Sequence, residues 1–276
     1  MVGADVEDLF DCRPAHDFIV NNEYRAPVAA VGAYIFFLVT VPLLMRRFHV
    51  APMKLRAPFA LWNVALSLFS MWGVTVLAPH LFSNLYNNGL HYVLCDDRFI
   101  YGDAEKGVRE NYELGATCYG MPAIASLAFV YSKFPELFDT VFLVLKGKPI
   151  VMLQWWHHAS VLLYAWHASV ISTPSAVPFA VMNYAVHSVM YLYFGLSQYT
   201  RALGWMKRPI TIFQISQMIF GVAIVALCLL YEATSSCSES YVKGHFYTLC
   251  GGMYASYLVL FFQFYRRSYN ARAKIV

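Results

Sequence analysis

Charged residues are scarce in this chain. Asp, Glu, Lys and Arg make up 13% of its 276 residues, against about 25% in a typical soluble domain. With 59% hydrophobic residues beside that shortage, the chain reads as neither one large soluble domain nor two small ones. The same composition excludes intrinsic disorder, coiled coil and collagen. What remains is an all-α polytopic membrane protein, in which 20 Tyr and 21 Phe supply interfacial belts and apolar helix faces.

Other absences narrow the chemistry. Residues 1–26 are rich in Asp and Glu and lack a basic region followed by an apolar stretch, so no cleavable signal peptide is expected and the first apolar helix would do the targeting. There is no internal repeat, no low-complexity tract and no Asn-x-Ser/Thr acceptor. No Gly-x-Ser-x-Gly elbow and no Cys beside a His in a polar setting exist, which leaves serine and thiol acyl transfer unsupported. Nine histidines, five of them near helix ends or in loops, are too few for the repeated histidine boxes of a membrane di-iron oxygenase. No metal or other cofactor is expected, and no nucleic-acid partner.

Seven apolar runs are present, near 27–45, 59–78, 115–145, 149–169, 176–198, 209–231 and 244–265, each long enough for a bilayer core. The third carries Lys133, Pro135, Glu136 and Asp139 and reads as one long or kinked helix rather than two spans. The domain plan is an N-terminal segment over 1–26, a seven-helix membrane domain over 27–265 and a tail over 266–276.

Sidedness follows from the cations. With the N-terminus outside the cytosol, 13 Lys and Arg fall on the cytosolic side, among them Lys146, Lys148, Lys207 and Arg208, and 6 on the other. Of 16 acids, fourteen lie on the non-cytosolic side and two, Glu136 and Asp139, within the third helix. The cytosolic face is therefore about +13 with no offset. That field orients insertion, and it also attracts a polyanionic substrate. Cys118, Cys228 and Cys250 read as packing residues. On the oxidising side, Cys95 and Cys237 are better disulfide partners than Cys12, which sits in a tail with little to fix it.

Polar groups inside apolar helices are expensive and therefore functional candidates. Lys133, Glu136 and Thr140 share a helix face by steps of 3 and 4, with Asp139 at its edge. This set is either a mutually neutralised packing network or part of a site. Gln154, His157 and His158 are expected to look into one space, as are Asn183, His187, Met190 and Tyr191. Thr211, Gln214 and Gln217 form a polar stripe in three-residue steps. With serine, cysteine and metal set aside, imidazole remains as nucleophile or base.

At these residues the sequence resembles the ELO family of very-long-chain fatty acid elongases. Lys133-x-x-Glu136-x-x-Asp139-Thr140 matches K-x-x-E-x-x-D-T, and Thr211-x-x-Gln214-x-x-Gln217 matches T-x-x-Q-x-x-Q. His187-x-x-Met190-Tyr191-x-Tyr193-Phe194 matches H-x-x-M-Y-x-Y-Y except at its last position, and Gln154-x-x-His157-His158 matches H-x-x-H-H except at its first. The context of Trp156-His157-His158 and Asn183-Tyr184 is most similar to the branch acting on saturated and monounsaturated chains. Gln at the first box position also occurs among members that use polyunsaturated ones.

The resemblance implies an acyltransferase of the endoplasmic reticulum membrane, with the N-terminus lumenal and the C-terminus cytosolic. It would condense acyl-CoA with malonyl-CoA to 3-ketoacyl-CoA, CO2 and CoA. Most of its seven helices would ring an acyl tunnel. His157 would attack the thioester to form an acyl-imidazole, with His187 the alternative nucleophile and otherwise the facing base or oxyanion donor. His158, Asn183 and Gln154 would complete the catalytic set. Lys133, Glu136, Asp139, Tyr191, Gln214 and Gln217 would support it near the CoA, whose phosphates would meet Lys146, Lys148, Lys207 and Arg208. Membrane lipid and the reductase and dehydratase of the elongation cycle are the expected partners, and a homodimer is left open. The basic tail Arg272-Ala-Lys274-Ile275-Val276 resembles a retrieval signal. A seven-helix receptor, or a transporter of a lipid or anionic ligand, is the rival reading.

Overall fold

The computed structural model describes residues 13–96, 99, 120–234, 237 and 241–270. Among these residues all regular structure is helical. The helices are α1 (Arg13–Asn22), α2 (Arg25–Arg47), α3 (Arg56–Cys95), α4 (Gly120–Glu136), α5 (Phe138–Leu145), α6 (Met152–Val170), α7 (Ala176–Leu196), α8 (Lys207–Ala233) and α9 (Tyr241–Tyr265). A 3-10 turn over Ala202–Met206 leads into α8, and a π turn over Arg266–Asn270 follows α9. Cys12, Cys118 and the basic tail residues Arg272 and Lys274 lie outside the described residues.

Within the described residues, each of the seven apolar runs falls largely on helix. Three helical segments, Arg25–Arg47, Arg56–Cys95 and Ala202–Ala233, are long and apolar enough to cross a membrane by themselves. Large apolar side chains on outward faces, such as Phe36, Leu61, Phe220 and Leu249, are exposed. A soluble protein would hide them, whereas lipid solvates them.

The third run, expected as one long or kinked helix, is interrupted just past its proline. Pro135 removes a backbone donor and crowds the carbonyl one turn back, so α4 ends at Glu136 and α5 restarts at Phe138. Leu137 bridges them with two tight bonds, its N–H to the Phe134 carbonyl and its carbonyl from the Thr140 N–H, each 3.2 Å. Helix α3 outruns its apolar run by more than a dozen residues, and Gly89, at φ 83°, puts a kink in it that a side chain would oppose.

Small residues set the closest helix contacts, as membrane packing favours. The most extensive pair is α3 with α7, where a Cβ added at Gly73 would meet the Tyr184 ring at 2.5 Å and one at Gly195 would meet Val64 at 2.9 Å. The next is α8 with α9, where Gly221 receives Tyr254. One apolar core joins α1, α3, α4, α6 and α7 around Trp166 and Tyr184, and another joins α6 to α9 around Cys228, Cys250 and Tyr257. Only Pro27, Val31 and Tyr34 of α2 are buried, so that helix packs on the outside of the bundle.

The two ends of the bundle differ. At one, the Met53 N–H bonds the Leu145 carbonyl at 2.8 Å, Lys146 Nζ reaches Gln198 Oε1 at 3.2 Å, and Arg56 lies over the Tyr199 ring at 4.5 Å. At the other, a disulfide joins Cys95 to Cys237.

Candidate active site

The kink between α4 and α5 points two carboxylates into different neighbourhoods. Lys133 and Glu136 lie one turn apart on α4, and Lys133 Nζ donates to Glu136 Oε1 at 2.6 Å. The lysine is 1% exposed, and a buried ammonium persists only when its charge and donors are met. A second bond runs to Asn183 Oδ1 on α7 at 2.9 Å, and the Phe129 ring lies 4.1 Å from Nζ. Ser132 Oγ adds a donor to Glu136 Oε1 at 3.1 Å.

Asn183 passes this arrangement on to histidine. Because lysine only donates, the amide oxygen must face Lys133, which leaves Nδ2 as the donor toward His187 Nε2 at 3.2 Å. The proton of a neutral His187 then sits on Nδ1, 3.9 Å from Glu136 Oε1. Lys133, Glu136, Asn183 and His187 thus form a closed circuit across two helices. The spacing Asn183 to His187 is one helical turn, and the side chains stack as that step dictates.

Asp139, beyond the kink, belongs to a second circuit. Trp62 Nε1 on α3 donates to its Oδ1 at 2.7 Å, Tyr191 OH on α7 donates to its Oδ2 at 2.6 Å, and His158 Nε2 on α6 stands 3.9 Å from Oδ2. The rings of Tyr191 and His187, 5.0 Å apart, join the two circuits.

The histidine box does not act as one face. His158 is turned to Asp139, whereas His157 lines a cavity of about 220 Å3 and packs against the Tyr257 ring of α9 at 4.9 Å. Consecutive helical residues diverge by about 100°, and here that divergence splits the pair. Gln154 is half-buried, and no side-chain hydrogen bond joins it to either histidine among the described residues. The expectation that all three look into one space is therefore corrected: only His157 faces the cavity.

Thr140 also departs from the expected face. Restarting the helix at Phe138 aims it at α2, where Tyr34 OH donates to its Oγ1 at 2.8 Å. The stripe on α8 separates as well. Thr211 Oγ1 lies 3.2 Å from Tyr269 OH, Gln214 Nε2 reaches Met190 Sδ at 2.9 Å, and Gln217 lines the cavity.

Besides His157, the polar lining residues here include Asn183, Gln217 and Tyr257. From there the cavity runs between α4, α6, α7 and α9 past Val130, Ala165, Ala180 and Phe246. Three residues at the site escaped sequence reading. Trp62 and Tyr257 lie on helices without motifs, and Tyr34 lies on the peripheral one. Tyr257 OH bonds Ser160 Oγ at 2.6 Å and donates to the His157 carbonyl at 3.4 Å, pinning the backbone that carries the cavity-facing imidazole. Nothing in single-sequence periodicity separates these aromatics from packing residues.

The basic residues gather away from the carboxylates, at the end of the bundle opposite the disulfide. Lys148, Lys207 and Arg208 are exposed. Lys146 is half-buried over Phe59 at 4.1 Å, and burial together with the Lys148 charge holds its ammonium below its ordinary pKa. Arg208 Nε donates to Tyr265 OH at 2.8 Å. Among the described residues, the one His, Cys and acid cluster of metal-ligand spacing is His91, Cys95 and Cys237. Its two cysteines are spent in the disulfide, so the thiolates a metal would need are missing.

Comparison with known proteins places this geometry. Residues 19–275 match the model of the ELO: GNS1/SUR4 family. A Drosophila melanogaster protein named very long chain fatty acid elongase 6 is 36% identical over 79% of this chain and 64% of its own length. Fatty acid elongase 3 of Trypanosoma cruzi is 36% identical over 92% of this chain and 87% of its own length. Fatty acid elongase 1 of Trypanosoma brucei is 39% identical over 78% of this chain and 66% of its own length. The chain thus spans slightly under two thirds of the fly and T. brucei proteins and most of the T. cruzi one. No solved structure matches it. The four motifs and a family match over nearly the whole length agree, and the chain belongs to the ELO (GNS1/SUR4) family.

Proposed function

We propose that this protein is a fatty acid elongase, a condensing acyltransferase that joins an acyl-CoA to malonyl-CoA. The observation that carries the reading is that, of His157, His158 and His187, only His157 faces the apolar cavity, beside two polar circuits in which His187 and His158 stand 3.9 Å from Glu136 and Asp139. Seven membrane passages, six of them ringing the cavity with α2 outside, fit the seven apolar runs and the absence of α2 from the cavity wall. The endoplasmic reticulum membrane, with N-terminus lumenal and C-terminus cytosolic, fits the +13 face. That face is where two CoA substrates arrive, and Lys146, Lys148, Lys207 and Arg208 are their phosphate partners.

The mechanism proceeds in two steps. His157 attacks the acyl thioester carbonyl, the C–S bond breaks, and the departing thiolate takes the imidazole proton to leave as CoA. Malonyl-CoA then loses CO2, and the resulting enolate carbon attacks the acyl-imidazole. The C–N bond breaks, 3-ketoacyl-CoA forms, and His157 takes back one proton from solvent. His157 is the nucleophile in this reading because it is open to the cavity, whereas His187 Nε2 accepts from Asn183. Asn183 and Gln217, which line the same wall, are the donors nearest a developing oxyanion. The product calls next for reduction of a ketone and then dehydration, so a reductase and a dehydratase are the expected neighbours, and a homodimer is compatible with the surface.

Purified protein given acyl-CoA alone should gain the mass of one acyl group, carried on a peptide containing His157. Malonyl-CoA should discharge it with stoichiometric release of labelled CO2. A preparation that condenses without ever showing the adduct would replace the two steps by one ternary step. Absence of malonyl-dependent CO2 would return the chain to a receptor or carrier.

A further inference from the structure

Condensation makes no use of a second polar stretch of the cavity wall. His16 on α1 is more than nine-tenths buried and lines the cavity, and neither of its ring nitrogens has a hydrogen-bond partner among the described residues. Oδ1 of the adjacent Asp17 is likewise buried without a partner among the described residues. His80 on α3 lines the cavity too, with its ring stacked on Phe99 at 5.2 Å. Burial holds the His16 imidazole below its ordinary pKa against the opposing pull of Asp17. At neutral pH the ring is therefore uncharged, with one N–H to donate and one lone pair to accept. Apolar chain carbons satisfy neither, whereas a hydroxyl both donates and accepts.

Helix geometry sets the depth of this stretch. Helix α1 packs beside Trp166, where Phe18 lies edge-on to that ring at 6.1 Å; His16 faces the other side of α1 at a height about 3 Å away, and Ser169 beyond Trp166 still lines the cavity. Trp166 and Ser169 lie about 14 and 18 Å past His157 along α6 at 1.5 Å per residue. An extended acyl chain advances about 1.25 Å per carbon, given tetrahedral angles and bonds of about 1.5 Å. A chain anchored at His157 therefore brings about its eleventh to fourteenth carbon to His16.

We infer that the deep end of the cavity is a subsite for an oxygenated acyl chain, in which His16 receives a hydroxyl on the terminal carbon or its neighbour. The inference rests on the elongase reading of the cavity. A methyl-ended chain of that length leaves both nitrogens unpaired in an apolar wall. A site arranged for a hydroxyl discriminates against the analogue lacking one far more strongly than an apolar pocket discriminates between lengths.

The test pairs terminally hydroxylated acyl-CoA with plain acyl-CoA of equal length, from about 8 to 16 carbons, a range set by the same rise and bond geometry. At about 11 to 14 carbons kcat/KM should favour the hydroxylated chain by about tenfold, and the preference should vanish for shorter chains. His16→Phe should bring the ratio to one or below, and His16→Gln, which keeps a donor and an acceptor, should retain most of it. Displacement of a bound fluorescent fatty acid by the free hydroxylated and plain acids reads the same ratio without condensation. Equal use of both chains by protein that elongates the plain one would overturn the subsite and point to a water between His16 and Asp17. A preference that survives His16→Phe would overturn it as well. Failure to elongate either chain would count against the elongase reading, and the displacement ratio would still decide the subsite. If His16→Phe does not fold, the wild-type ratio and His16→Gln carry the decision.

Discussion

Two groups of buried polar side chains, one beside the cavity and one in its wall, are built on different terms. Near His157, Lys133 and Asp139 each have two named partners within 3.2 Å and His187 Nε2 has Asn183, and only Glu136 Oε2 and His158 Nδ1 are left without a partner among the described residues. At the deep end neither nitrogen of His16 has one among the described residues. Polar groups in an apolar interior are costly unless paired, so the first group is largely organised before substrate arrives, whereas His16 is completed only by what enters. The contrast separates a place where charge is moved from a place where a ligand is read.

The sharpest break of that contrast removes the one histidine of the first group that is left open. His157→Ala should lower condensation by at least about a thousandfold, in the manner of a lost covalent nucleophile. Fatty acid displacement at the deep end should persist. Steady-state CO2 release and displacement titration, run on the same preparation, check both halves. A variant that kept full condensation would move the chemistry to His187 or out of this cluster altogether.

Next in size is the circuit itself. Lys133→Met strands Glu136 in the interior and should cost about 3–5 kcal/mol of stability, whereas adding Glu136→Gln should restore most of the loss without restoring activity. Thermal unfolding in detergent gives the stability, and CO2 release the activity. His16→Phe, which removes unpaired nitrogens rather than partnered ones, should be neutral or stabilising in the same assay. Equal losses from both would erase the distinction between the two groups.

Tyr257→Phe tests a support rather than a member. Losing one hydroxyl that holds Ser160 and the His157 carbonyl should lower kcat about fivefold, with KM for malonyl-CoA unchanged, in line with one hydrogen bond of about 1 kcal/mol. A change confined to KM would make Tyr257 part of the chain-binding wall instead. The smallest effect is expected furthest from both groups. Lys146→Gln with Lys148→Gln should raise KM for acyl-CoA about threefold at low salt, fading toward one as ionic strength screens the charges. An unchanged salt profile would remove these lysines from substrate capture.

Much of the first group was legible from helical steps. Lys133 with Glu136, and Asn183 with His187, are spaced to meet on one face, and they do. Pro135 predicts one long or kinked helix, and the helix is interrupted two residues past it, at Leu137. Reading failed where direction depended on neighbours: His158 and Thr140 turn to partners on other helices, and Gln154 stands apart. Trp62 and Tyr257 carried no signal, because an aromatic on an apolar helix looks the same whether it packs or donates. His16 was one of several histidines set aside as lying near ends or in loops, and only the packing of α1 brings it to the cavity.

The sequence alone determined that the protein lives in a membrane, which apolar runs carry its helices, which face is basic, and which polar residues are too costly to be idle. Those conclusions need only composition, periodicity and the cost of burying charge. The tertiary structure decided which histidine is open, which carboxylate each partner holds, and that one polar stretch waits unpaired at depth. Partnership across helices far apart in the chain is a matter of distance and direction, and a list of residues carries neither.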